Sequence, residues 1–166
     1  CNSILTDGII ERIDGRLSQL QMKHLFLLRH AKSSWNDPAV GDFDRPLNDR
    51  GQTAAPFMGE LMARKEIRPG VIISSPANRA MQTAILVKEA SGSNSPLQYD
   101  ERIYEASPQN LLSVASQIPE NFASALLVGH NPGMEGFIHY LTGQLEPMPT
   151  AALAVIELDI DSWLGL

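Results

Sequence analysis

Lys23-His24-Leu25-Phe26-Leu27-Leu28-Arg29-His30 is the stretch whose reading decides the fold. Up to Leu28 it is apolar almost throughout, with His24 as the polar exception, as expected of a strand buried on both faces of a sheet. Val71 to Ile73 and Ala125 to Val128 repeat the pattern. Each run is followed by a helical signal. Asn48 is placed to cap a helix from Asp49 to about Lys65, with Ala54, Phe57, Met58, Leu61 and Met62 on one face. Pro76 precedes a helix of about Ala77 to Ala90, and Pro132 opens one of about Gly133 to Leu141. Pro96 to Tyr99 adds a short strand, Ser107-Pro108 starts a helix to about Gln117, and Ala151 to Leu158 reads as a last strand. Alternating elements with buried apolar strands predict a three-layer α/β/α sandwich around a largely parallel sheet.

The 166 residues suit a single domain with a substantial core, and 43% hydrophobic with 19% charged residues disfavours disordered and fibrous classes. Thirteen Lys and Arg against 19 Asp and Glu give a formal charge of −6, so no nucleic-acid partner is expected and any anion site must be local. The single cysteine, Cys1, excludes an internal disulfide framework and fits a reducing, cytoplasmic setting; a lipid-modified terminus is its less favoured reading. No apolar run approaches the ~18 residues of a spanning helix, and no membrane partner is expected. Residues 1–21 lack the marks of a secretory signal and read as a natural extension or a cloning remnant ahead of a domain over 22–166. Within them Ile9, Ile10, Ile13, Leu17 and Leu20 recur at roughly helical spacing, as in a short amphipathic helix.

Ligands of open α/β folds bind beyond the carboxyl ends of the strands. The first apolar run ends in Arg29-His30, the second leads through Ser74-Ser75-Pro76 to Arg79, and the third ends in Gly129-His130-Asn131-Pro132. Two arginines with planar donor forks, two histidines and the free N–H groups of helix starts imply a phosphoryl ligand. A neutral histidine can attack phosphorus, and a protonated one can steady the transferring oxygens. With His30 as nucleophile the reaction has two steps, formation and hydrolysis of a phosphohistidine, while Arg29, Arg79 and His130 hold the oxygens. No metal or other cofactor is expected: neither His30 nor His130 has a neighbouring Asp or Glu in sequence, and the flanking cations would repel a metal ion.

These residues carry a resemblance. Leu28-Arg29-His30-Ala31-Lys32-Ser33-Ser34-Trp35-Asn36 is similar to the signature that opens the histidine phosphatase superfamily, the group with phosphoglycerate mutases and acid phosphatases. Asp44-Arg45-Pro46-Leu47-Asn48 with Gly51 resembles the segment leading into that family's first helix. Ser74 to Ala84 resembles the segment with its second arginine, and Gly129-His130-Asn131-Pro132-Gly133 the one with its second histidine. The likeness runs from Met22 to about Asp159, and the short chain with its Arg-His-Ala-Lys-Ser form looks most like the SixA-like phosphohistidine phosphatases.

The resemblance implies a phosphoglycerate mutase-like fold, a pocket of Arg29, His30, Arg79 and His130, and His30 as the phosphorylated nucleophile. It places Ser33 and Asn36 along the pocket. The implied substrate is protein phosphohistidine, as on a histidine-containing phosphotransfer domain, with a small phosphoester as the alternative. Relatives acting on esters protonate the leaving alkoxide with a carboxylic acid, and Glu101 stands about where that residue would fall, with Glu105 close behind. A phosphohistidine relaxes the need, since an imidazole protonated on its other nitrogen leaves as a neutral group.

Blander readings compete residue by residue. His24 and His139 lack any comparable context and read as structural or surface groups. Arg45 and Arg50 read as solvated, or paired with Asp42, Asp44 or Asp49, more than as substrate guides. Trp35 either covers the pocket mouth or fills a gap in its loop. A binding module that has lost catalysis would be expected to lack His30, Arg79 or His130, and all three are present. Mutase activity needs a site that retains a bisphosphate, which the short chain disfavours.

Overall fold

The computed structural model of the chain describes residues 3–4 and 22–166; the helix expected over Ile9 to Leu20 lies outside them. In chain order the elements are β1 (Ser3–Ile4), β2 (Lys23–Arg29), α1 (Asp49–Arg64), β3 (Val71–Ser74), α2 (Asn78–Ala90), β4 (Leu97–Tyr99), α3 (Pro108–Ala115), β5 (Ser124–Gly129), α4 (Gly133–Thr142) and β6 (Leu153–Leu158). One sheet runs β1-β6-β2-β5-β3-β4. Pairs β2·β5, β5·β3 and β3·β4 are parallel, whereas β6 lies antiparallel to β2 and to β1. The expected three-layer α/β/α sandwich is the architecture found.

The two apolar layers follow from strand pleating. Leu25, Leu27, Ala125, Leu127, Val71 and Ile73 share one core with Leu111, Val114, Met134 and Phe137 of α3 and α4. Phe26, Leu28, Leu126, Val128 and Ile72 share the other with Ala55 and Met62 of α1 and Ala80, Ala84 and Val87 of α2. Successive residues therefore serve opposite helix layers, which is why the strands read as unbroken apolar runs. Leu126 and Leu127, both fully buried, each contribute about 2 kcal/mol by removal from water.

Two details depart from expectation. On α1 the buried residues are Gly51, Ala55, Gly59 and Met62, whereas Phe57 is 58% exposed with the Arg64 guanidinium over its ring. The reason is close packing: a Cβ on Gly59 would stand 2.5 Å from the Val87 carbonyl oxygen of α2, so the contact face is set by small residues. The last strand begins at Leu153 instead of Ala151, because Ala151 adopts φ 64° and turns its N–H toward the carbonyls of Arg29 and His30. No helix among the described residues is long and apolar enough to cross a membrane.

Candidate active site

Strand register builds the site. Arg29 is the parallel partner of Gly129, and Ser74 of Val128, so the residues that leave these strands, His30, His130 and Ser75, emerge side by side at one sheet edge. The imidazole centroids of His30 and His130 are 5.0 Å apart. His30, Arg79, His130 and Arg45 expose only 5–8% of their surface.

His30 is held in one protonation state. Its Nδ1 lies 2.7 Å from the Ala31 carbonyl oxygen; a carbonyl only accepts, so Nδ1 carries the proton and Nε2 keeps its lone pair. Arg79 donates its Nε–H toward that Nε2 at 3.4 Å. Behind it, the Ala31 N–H donates to the Thr83 hydroxyl, which donates to the Arg79 carbonyl, so a fully buried threonine locks the His30 loop to α2. Burial, and then the charges of Arg79, Arg29 and Arg45, lower the His30 pKa to about 4, against the raising effect of the Ala31 hydrogen bond. The ring is therefore neutral near pH 7.

His130 is held from its other side. Its Nε2 is 2.8 Å from the Ser75 hydroxyl, which already accepts the Ala77 N–H at 3.2 Å. Among the described bonds Nε2 is the acceptor open to the hydroxyl proton, an assignment that leaves the ring proton on Nδ1. Burial, then the neighbouring His30 and Arg79 charges, lower the pKa of His130 to about 3. Among the described residues its Nδ1 has no partner, and neither do Nε of Arg29 or Nε and Nη1 of Arg45. With this tautomer all four buried nitrogens are donors lacking an acceptor. Each unsatisfied buried donor costs about 1–3 kcal/mol, and an oxyanion would satisfy them.

Arg29 donates Nη1–H to the Met148 carbonyl, which fixes its fork beside the cluster. Arg79 donates both Nη groups to Asp42, to its carbonyl and to its Oδ2, the latter at 2.9 Å. The same carboxylate takes the Tyr104 hydroxyl at 2.9 Å and Arg45 Nη2 at 3.0 Å. Burial opposes ionisation of Asp42, but the bonds from Tyr104 and Arg79 and the charges of Arg79 and Arg45 hold its pKa below the usual carboxylate value. Tyr104 also sets its ring edge to His130 at 5.6 Å, and Phe43 packs edge-on against Tyr104 at 5.1 Å.

Of the residues expected here, Arg29, His30, Arg79 and His130 come together. Ser33 is buried and forms an isolated backbone bridge with Leu47. Asn36 is exposed, with its N–H on the Ser34 hydroxyl. Glu101 is exposed on the 3-10 turn Glu101–Ile103, and no described hydrogen bond ties its carboxylate to the cluster. Trp35 is 70% exposed and stacks its inner face on the Arg45 guanidinium, 3.3 Å from ring centroid to Cζ. Arg45 pairs with Asp42, one of the partners expected for it, and is buried instead of solvated; Asp42, Tyr104, Ser75 and Thr83 were not among the expected site residues. The Asp42-to-Arg45 spacing was the available signal for the first pair; the others are assembled by tertiary contacts alone.

Residues 25–129 match the model of the histidine phosphatase superfamily, branch 1. An uncharacterised protein of Mycobacterium tuberculosis is 33% identical over 105 residues, 63% of this chain and 63% of that protein, so the chain spans under two thirds of that relative's length. Among solved structures, SixA of Agrobacterium tumefaciens superposes with a TM-score of 0.75 at 35% identity, over 80% of this chain and 90% of that one. A phosphoglycerate mutase of Bacillus anthracis has a similar fold, with a TM-score of 0.67 at 15% identity, over 86% of this chain and 94% of that one.

Proposed function

The chain belongs to branch 1 of the histidine phosphatase superfamily, and from that premise we propose that it is a phosphohydrolase working through a phosphohistidine at His30, with protein phosphohistidine as substrate. The observation that carries the reading is the pairing of an unprotonated His30 Nε2 with buried, acceptor-less N–H donors on Arg29 and His130. In the first step Nε2 attacks phosphorus and the bond to the leaving group breaks. The Nδ1–H bonded to the Ala31 carbonyl leaves the phosphorylated ring as an imidazolium, so in the second step water attacks phosphorus and His30 departs as a neutral imidazole. Both water protons end on the released phosphate. Arg29, Arg79 and His130 hold the equatorial oxygens through both transition states.

The substrate choice rests on the state of Asp42 and the position of Glu101. Asp42 is the carboxylate bonded into the cluster, and its surroundings keep it ionised; Glu101 makes no bond there. An alkoxide leaving group would depart unprotonated, whereas a phosphohistidine protonated on its second nitrogen releases neutral imidazole. The exposed rings of Trp35 and Phe43 beside the cluster suit a side chain presented on a protein surface. The test is phosphate release, in the presence of chelator, from a phosphorylated histidine-containing transfer protein set against alkyl and aryl phosphate esters. Preference for the phosphoprotein supports the reading; preference for alkyl esters overturns the substrate assignment, and silence on all of them overturns the enzyme.

A further inference from the structure

Arg45 sits on no strand or helix of the sandwich; it follows the short 3-10 turn Asp42–Asp44. A surface arginine at such a place would be solvated, yet only 7% of this one is exposed. A purely structural buried guanidinium would be expected to spend its N–H groups on acceptors. Here Nη2 meets Asp42 Oδ1 while Nε and Nη1 meet none among the described residues. One face is covered by Trp35, which fixes the plane of the fork.

The Asp42 carboxylate gathers the donors of this region onto one anion: Arg45 Nη2 on Oδ1, and Arg79 Nη2 and the Tyr104 hydroxyl on Oδ2. Arg79 is at the same time the donor to the nucleophilic Nε2 of His30. Arg45 therefore shares a carboxylate with an arginine that touches the reacting atom, and its own charge is among those that disfavour a proton on His30.

We propose that Arg45 is a third phosphoryl-binding arginine, and that the Asp42 carboxylate occupies its place until a substrate oxyanion displaces it. The proposal rests on the phosphoryl site argued above and adds a ligand and an internal competitor to it. Asp42 is suited to yield, since its side chain is 46% exposed and stands on a short turn, whereas Arg45 is walled in. An oxyanion entering between His30 and Arg79 takes over the N–H groups that Asp42 gives up. The freed carboxylate swings to water, so no charge is left buried without a partner.

The experiment is calorimetric titration of the full chain with inorganic phosphate and with orthovanadate, which needs no turnover. Asp42→Asn is expected to tighten binding by about tenfold, and Arg45→Met to weaken it by about tenfold or more, in the wild type and in the Asp42→Asn background alike. Asp44→Asn removes the same charge two residues away and is expected to leave affinity within about twofold. If Asp42→Asn and Arg45→Met weaken binding together, the pair is a structural tether and the proposal fails. It fails equally if Arg45→Met leaves affinity unchanged. Should Arg45→Met not fold, the contrast of Asp42→Asn with Asp44→Asn decides: tightening by the first alone supports the proposal, and equal effects overturn it. A wild type that binds neither anion overturns the phosphoryl site itself, a result distinct from a bound anion indifferent to Arg45.

Discussion

His30 and His130 face each other at 5.0 Å because the residues before them, Arg29 and Gly129, are register partners in adjacent parallel strands. Two chain segments a hundred residues apart are thus aligned by backbone hydrogen bonds at the sheet centre. Their side chains then differ by what lies behind each ring. The Ala31 carbonyl leaves His30 with an unprotonated Nε2, and the Ser75 hydroxyl leaves His130 with an Nδ1–H.

Removing an oxyanion donor should cost rate more than fold. Arg79→Ala and His130→Ala are each expected to lower kcat by about 10² to 10³, the usual loss for one preorganised donor. Steady-state kinetics with circular dichroism as the folding control reads this. A loss confined to KM would mean these groups bind the ground state only.

Ser75→Ala deletes the donor that sets the tautomer of His130. The ring is expected to shift toward Nε2–H, with kcat down by about tenfold and the fold kept, since a serine hydroxyl in this fully buried position is replaced by a hydrogen. Nitrogen-15 spectra of the His130 ring report the tautomer directly; an unchanged spectrum in the variant would remove Ser75 from this role.

Both histidines have folded-state pKa values below their ordinary 6.5, about 4 for His30 and about 3 for His130. Between those values and 6.5 the unfolded chain binds more protons than the folded one, so stability is full above pH 6.5 and falls as pH drops toward 4. At pH 5 each ring is expected to cost about 2 kcal/mol. Urea midpoints measured from pH 7.5 to 5 should fall, and should fall less in His130→Asn. Activity carried by neutral His30 should persist down to about pH 5, where a nucleophile of ordinary pKa would be mostly protonated.

Gly59→Ala is expected to destabilise despite the better helix propensity of alanine. A Cβ there would meet the Val87 carbonyl oxygen at 2.5 Å and the Ala90 Cβ at 2.8 Å, and overpacking of this kind costs about 1–3 kcal/mol. Thermal or urea unfolding checks the sign; a more stable variant would mean that α1 and α2 separate freely.

What was legible in the sequence follows from what leaves a one-dimensional mark. Doubly buried strands such as Leu25 to Leu28 and Ala125 to Val128 write continuous apolar runs, and the residues closing them must lie at the functional edge. The convergence of Arg29, His30, Arg79 and His130 was readable for that reason and through the resemblance of their motifs. Of the apolar face expected on α1, Met62 is buried and Ala54 and Met58 pack against the core, but Phe57 turns outward because the α1·α2 contact is made at Gly59, where volume must be low. Asp42, Tyr104 and Ser75 were not legible as site residues. Asp42 and Tyr104 lie 62 positions apart, and Ser75 and His130 55, and only the folded chain joins them.

The central claim is that His30 carries the phosphoryl group. Its most direct test is rapid-quench labelling of the enzyme with a radiolabelled phosphohistidine protein in the presence of chelator, with the modified peptide located at alkaline pH. The account predicts an acid-labile, alkali-stable label on His30 in the wild type, and neither label nor phosphate release in His30→Ala. Label on another residue, or near-normal release by His30→Ala, would contradict it.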